Sequence, residues 1–351
     1  MKTEHILIIR FSALGDVAMT VPVVSALAEQ YPHVRITVLS KPFTRVFFEG
    51  LAPNVGFMGA DVKGEYRGVK GLNALYRRLS AKHFTAIADL HDTLRSKYLR
   101  MRFNLGHNKV EHINKHKNGK RLLTSQCNKH LEQQPTSFEN YADVFDRLGY
   151  PVRLDFQSMF ASEGPDLSLL PEELRVKPAG EKWIGIAPFA AHCGKIYPIE
   201  RMEEVVGRLS GQLQQSRLFL FGGGKEEKML LDEWAGKYAK CTNASSLLGG
   251  LQQELVLMSQ LDCMVSMDSA NMHLASLVAV PVVSVWGATH PYAGFMGWNQ
   301  QESNAIQVDL PCRPCSIYGN KPCMRGDLAC LNNIEPDTVL KTITMLLERN
   351  N

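Results

Sequence analysis

Short runs of β-branched and aliphatic residues alternate with longer amphipathic stretches along nearly the whole chain. No other feature constrains the fold as much. Residues 5–11 and 34–39 read as buried strands, because apolar residues on both strand faces suit a sheet covered on both sides. Between them, residues 20–30 carry their apolar side chains on one helical face. Pro22 is tolerated there, since an N–H in the first turn has no helical partner to lose. Residues 84–90 form a further strand and 137–148 a helix. From 165 to 181 the periodicity lapses into Pro-, Glu- and Lys-bearing sequence. A second series follows, with strands at 183–187, 217–221, 261–267 and 280–286 and helices at 199–213, 225–238 and 271–278. Residues 287–334 read as loop and 336–349 as a closing helix. Two successive α/β series predict two doubly wound, Rossmann-like domains facing a central cleft. Their boundaries are 1–165 for the first, 166–181 for a linker, 182–334 for the second, and 335–351 for the closing segment. Ligands of such sheets bind beyond the carboxyl ends of the strands, so the loops that follow strands hold the candidate chemistry.

Composition excludes several classes. The chain has 351 residues, 45% hydrophobic and 21% charged, which rules out collagen-like, low-complexity and disordered readings. The net charge of +4 rules out a protein that is basic throughout. The charge is unevenly spread, however. Residues 95–130 hold ten Lys and Arg against one acid, Glu111, for a local net of +9, which leaves −5 for the remainder. The N-terminal apolar run stops at Arg10, too soon for a signal peptide. The most apolar stretch, 274–286, falls short of the roughly 20 residues needed to span a bilayer. A cytoplasmic location is therefore expected, with reduced thiols at the scattered Cys127, Cys193, Cys241 and Cys263.

Five loops carry candidate chemistry. Ser12-Ala13-Leu14-Gly15-Asp16 follows the first strand. Asp16 there is either a turn residue near a helix N-terminus or a general base beside substrate. The loop lacks the Gly-Lys-Ser/Thr of a P-loop and the three glycines of a dinucleotide fingerprint. Asp268-Ser269-Ala270-Asn271-Met272-His273 follows another strand and opens a helix, whose N–H groups and dipole suit a phosphate. The alternative for this loop is an Asp or Ser cap with a core histidine. Gly222-Gly223-Gly224 precedes Glu226 and Glu227, either of which can accept from ribose hydroxyls. Lys195, in the loop after the strand at 183–187, can neutralise a diphosphate as a point charge or stand solvated. Finally, Cys312, Cys315, Cys323 and Cys330 have the spacing C-x2-C-x7-C-x6-C, compatible with a structural metal, disulfides or reduced thiols.

Three of these loops together resemble one family. Residues 10–17 (RFSALGDV) with Thr20-Val21-Pro22 are similar to the opening motif of glycosyltransferase family nine, the ADP-heptose:lipopolysaccharide heptosyltransferases. Residues 267–269 and 272–275, with Pro281 and Trp286-Gly287-Ala288-Thr289, resemble its donor-site motif, and residues 194–200 its Lys-x-aromatic-Pro-x-Glu element. The resemblance implies a GT-B architecture and transfer of a heptose-type sugar from an ADP-sugar, with inversion and without a cofactor or catalytic metal. It implies Asp16 as base and a donor site at Lys195, Glu226 (or Glu227), Asp268, Ser269, Ala270 and His273. It leaves open a UDP- or GDP-linked donor on another surface glycan. The implied acceptor is the inner core of lipopolysaccharide, at the inner face of the cytoplasmic membrane. Ser12, Lys115, Lys117, Lys120 and Arg121 are the expected acceptor contacts, on a basic segment suited to an anionic acceptor and membrane face. A polyanion-binding module is the competing reading. A nucleic-acid partner is not expected, because only Tyr98 and Phe103 interleave with the charge.

Overall fold

The computed structural model describes residues 4–161 and 163–349. In chain order the first elements are β1 (His5–Ile9), α1 (Leu14–Ala18), α2 (Val21–Gln30), β2 (Arg35–Ser40), β3 (Val55–Gly59), α3 (Gly68–Ser80), β4 (Ala86–Asp89), α4 (Leu94–Leu105), β5 (Lys109–His112), α5 (Lys117–Leu123) and α6 (Ser137–Leu148). The strands form one sheet in the order β3-β2-β1-β4-β5, with every pairing parallel. All five residues of β1 are buried, and after His5 this central strand is apolar without alternation, as a sheet covered on both faces requires. Thr136 and Glu139 close a capping box at the start of α6, and Gly149 ends that helix in the left-handed region.

The later elements are β6 (Lys182–Ala187), α7 (Ile199–Gln212), β7 (Ser216–Leu220), α8 (Lys225–Lys237), β8 (Cys241–Asn243), α9 (Ala244–Leu247), α10 (Leu251–Met258), β9 (Cys263–Met267), α11 (Ala270–Leu277), β10 (Val282–Val285), β11 (Ala305–Ile306), α12 (Ala329–Asn332) and α13 (Pro336–Arg349). The second sheet runs β11-β10-β9-β6-β7-β8, again parallel throughout. Its core joins Ile184, Ile186, Val265 and Val285 from the strands to Trp234 of α8 and Ile343 of α13. Among the described residues, no helix is long and apolar enough to cross a membrane.

The chain divides into two compact units. One holds the residues up to Lys115 together with Pro135–Met159; the other holds His116–Gln134 and the residues from Phe160 on. This differs from the boundaries expected from sequence in two places. Residues 166–181 are not a bare linker but part of the second unit. Leu170 and Leu174 are buried, and Lys177 pairs with Asp262 at 2.5 Å. Residues 116–134, expected in the N-terminal domain, pack with the second unit. Lys129 Nζ donates to the carbonyls of Pro311, Arg313 and Pro314, at 3.0, 2.8 and 3.1 Å. Three backbone acceptors that match one ammonium outweigh proximity along the chain.

Candidate active site

Both sheets reverse strand order beside their first strand, β1/β4 in one and β6/β9 in the other, and such switch points open a crevice for ligands. Each switch point carries an ion pair.

In the first unit, Asp16 is about one-third exposed and its Oδ2 lies 2.7 Å from Nη2 of the nearly buried Arg10. The Ala13 N–H donates to the same oxygen at 3.0 Å. The turn and the ion pair thus share one carboxylate oxygen. The Tyr141 hydroxyl of α6 donates to the Asp16 carbonyl at 3.3 Å. From the loop after β4, His91 Nε2 lies 3.3 Å from Ser12 Oγ and Nδ1 lies 3.3 Å from Thr93 Oγ1. Burial first, and then the Arg10 charge, push the His91 imidazole down to about 3, so it is neutral at pH 7. Asp89 Oδ1 accepts the N–H groups of His91 and Asp92 and fixes this loop. Lys115 Nζ donates to the Asp92 carbonyl at 3.1 Å. The fold therefore gathers Asp16, Ser12 and Lys115 in the first unit.

The other expected acceptor contacts lie elsewhere. Lys117, Lys120 and Arg121 sit on α5, in the second unit, where Lys120 Nζ stands 4.4 Å from the Phe295 ring centroid. The basic segment is not one patch. Lys97 and Arg100 pair with Asp89 and Asp92, acids just outside the counted window, and Arg102 bonds Asn73. Phe103 is buried and the Tyr98 hydroxyl donates to Asn73, so neither aromatic is offered to a nucleic acid base.

In the second unit, Lys195 Nζ lies 2.8 Å from Asp268 Oδ2, the lysine 14% and the aspartate 3% exposed. Asp268 thus pairs with Lys195 rather than capping α11. Ser269, at the N-cap, makes no side-chain cap bond; its Oγ lies 3.2 Å from Ser266 Oγ. The α11 N-terminus, with Ala270 first, is left without a side-chain cap of its own. His273 is buried in the first turn of that helix. The glycine-rich loop separates the two glutamates. Glu227 Oε2 accepts from Gly223 and Gly224 N–H at 2.7 and 3.3 Å and so caps α8, whereas Glu226 is exposed. Gly319 lets the late loop approach Lys195: it has φ +72°, and a Cβ there would sit 2.6 Å from Lys195 Cγ.

The four late cysteines line one cavity of about 20 Å³ together with Arg313 and Ala329. No disulfide joins them, and among the described residues no three His, Cys, Asp or Glu are arranged to hold a metal ion. Of the three states that the spacing allows, the structure holds these cysteines as free thiols. Burial pushes the Cys330 thiol up to about 11 and raises Cys315, which keeps both protonated, while backbone hydrogen bonds lower Cys323. The tie that this apolar-poor loop needs comes from buried Arg313. It donates to the carbonyls of Gly287 (2.6 Å), Val308 (2.6 Å) and Thr289 (2.9 Å). Sequence reasoning missed Arg10, His91 and Arg313. A lone charge ending an all-apolar strand, and a polar Asp-Leu-His-Asp run at another strand's end, were the available signals for the first two.

The glycosyltransferase family 9 (heptosyltransferase) model matches residues 72–322. The chain belongs to this family. A lipooligosaccharide heptosyltransferase 2 of Campylobacter jejuni is 24% identical over 175 residues, 48% of this chain. The match spans only 52% of that relative's length. The lipopolysaccharide core heptosyltransferase OpsX of Haemophilus influenzae is 23% identical over 298 residues, covering 82% of this chain and 80% of the relative. The solved E. coli ADP-heptose lipopolysaccharide heptosyltransferase II superposes with TM-score 0.70 at 18% identity, covering 98% of this chain and 99% of the other. The two parallel-sheet units are the GT-B fold of this family.

Proposed function

We propose that the protein is a glycosyltransferase that moves a heptose-type sugar from an ADP-sugar to a lipopolysaccharide inner-core acceptor, with inversion and with Asp16 as base. The observation that carries this reading is the placement of family-motif residues at both switch points: Asp16 at β1/β4, and Lys195 with Asp268 and α11 at β6/β9. In the reaction the acceptor oxygen attacks the anomeric carbon while the bond from that carbon to the diphosphate breaks. The bonding pair leaves with ADP, and the acceptor proton passes to the Asp16 carboxylate. Lys195, Ser269 and the α11 N-terminus are suited to the diphosphate, where negative charge develops. The diphosphate competes with Asp268 for Lys195, so donor binding exchanges one anionic partner for another at the same ammonium. Glu226, which the capping of α8 leaves exposed, accepts from ribose hydroxyls. No cofactor or metal takes part in this scheme.

The acceptor is held by the first unit through Ser12 and Lys115. Lys117, Lys120 and Arg121 contribute charge from α5 toward an anionic acceptor or membrane face. Titration with ADP, UDP and GDP tests the donor. ADP is expected to bind most tightly, and a preference for UDP would redirect the reading to another nucleotide sugar. Asp16→Ala tests the base: transfer is expected to stop while ADP affinity holds. Unchanged turnover in that variant would remove Asp16 from the role.

A further inference from the structure

Arg10 has no part in the transfer scheme above, yet it is the most elaborately held charge near Asp16. It follows β1 directly and is only 7% exposed. One guanidinium nitrogen, Nη2, meets Asp16 Oδ2 at 2.7 Å. The other, Nη1, donates to the Leu90 carbonyl at 2.6 Å, across the switch point in the loop after β4. The guanidinium carbon lies 5.8 Å from the centroid of the Tyr141 ring, and that tyrosine's hydroxyl donates to the Asp16 backbone carbonyl. A buried cation costs several kcal/mol unless it is paired and hydrogen-bonded. Here the pairing falls on the carboxylate that the reaction needs ionised.

We propose that Arg10 is the positioning residue of the base. It holds one oxygen of the Asp16 carboxylate in a fixed place and keeps the group ionised until the acceptor proton arrives. The inference rests on the reading of Asp16 as base. In this scheme Arg10 acts through Asp16 rather than on either sugar. Groups from three segments act on Asp16. Arg10 and the Ala13 N–H come from the β1–α1 segment, His91 from the loop after β4, and Tyr141 from α6. The charges of Lys115 and Arg95 also act on His91. His91 is neutral at pH 7, and Arg10 is a cation in direct contact with the carboxylate. When Asp16 accepts the acceptor proton, the ion pair becomes guanidinium beside neutral acid. Loss of that proton to water restores the pair and resets the base. A guanidinium suits this place because its planar fork reaches Leu90 and Asp16 at once, which an ammonium on a flexible stem does not.

The test compares Arg10→Met, Arg10→Lys and Asp16→Asn with the parent protein in transfer kinetics across pH, using ADP-heptose and an inner-core acceptor. ADP affinity and thermal unfolding are measured alongside. Arg10→Met is expected to lower kcat on the order of a hundredfold, the scale of a misplaced reacting group. It should also move the acid limb of the kcat/KM profile to higher pH while ADP affinity holds. Arg10→Lys should return the acid limb toward its parent position but recover kcat only in part. In the Asp16→Asn background, Arg10→Met should cause no further loss. An acid limb that stays in place in both Arg10 variants, or a kcat within twofold of the parent, would overturn the proposal. Turnover that survives Asp16→Asn would instead overturn the base reading on which it rests.

Discussion

At the level of single residues, the two glutamates after the glycine-rich loop make opposite predictions. Glu227 ties Gly223 and Gly224 to the start of α8. Glu227→Ala should therefore cost about 1 kcal/mol of stability, the scale of a lost helix cap, with little direct effect on ADP. Glu226→Ala should leave the unfolding midpoint in place and weaken ADP binding, which calorimetry distinguishes. Lys195→Ala removes the charged donor proposed for the diphosphate. Hydrogen bonds to charged groups are worth about 1.5–3 kcal/mol, so ADP affinity should fall roughly 10- to 100-fold. The positions of the loops proposed for the donor were legible in the sequence because each follows a strand and carries chemistry unusual for a turn. The partners that define their roles were not. That Asp268 pairs with Lys195, or that Glu227 is engaged while Glu226 is exposed, depends on loops that meet only in the folded chain.

Among the elements, the late cysteine loop shows how a rigid segment is made without a covalent tie. Arg313 bonds three carbonyls, and the Cys315 and Ser316 N–H groups both donate to the Ala288 carbonyl. The Gly194 N–H donates to Gly319 O, and Ala288 N–H to Gly194 O, so the loop braces the Lys195 segment. Gly319→Ala places a methyl against the Lys195 stem and forces a left-handed residue away from glycine. Weaker ADP binding is expected, out of proportion to any change in unfolding midpoint. Equal ADP affinity in that variant would show that the brace does not set the lysine. The long apolar elements were readable from pattern alone, since α2, α6, α7, α8 and α13 match their periodicity to within a residue or two. Of the elements not anticipated, α3 does carry a regular apolar face in Leu72, Leu75 and Leu79, whereas three others lack one. β5 is a polar edge strand, β3 contains two glycines, and α4 has polar and basic residues around most of its surface. Edge position and tertiary packing, rather than local apolar pattern, make them regular.

For the whole molecule, buried neutral histidines set the pH dependence of stability. His91 is lowered to about 3 and His290 to about 4 from an ordinary value of 6.5, chiefly by burial. Below pH 6.5 the unfolded chain takes up protons that the folded chain refuses. Stability is thus fully present above that pH and is lost as pH falls toward 4. Urea midpoints between about pH 7.5 and 4.5 should fall, and His91→Gln should make the fall shallower. Charge at this scale was the least legible feature of the sequence. A local excess of +9 counted along the chain is divided by the fold between two units, and acids outside the counted window neutralise part of it. The division into two α/β series was legible, while the return of residues 116–134 to the second unit was not, because it rests on partners distant along the chain: three carbonyls for Lys129, the Phe295 ring for Lys120 and the Tyr292 carbonyl for the Gln134 N–H. The central claim is the chemistry of transfer. Its most direct test is incubation of the full-length protein with an inner-core oligosaccharide acceptor and, in parallel, ADP-heptose, UDP-sugars and GDP-sugars, read by mass spectrometry. A product heavier by one heptose, formed with ADP-heptose and absent in Asp16→Ala, is the predicted result. A glycosylated product formed from a UDP- or GDP-sugar but not from ADP-heptose would contradict it.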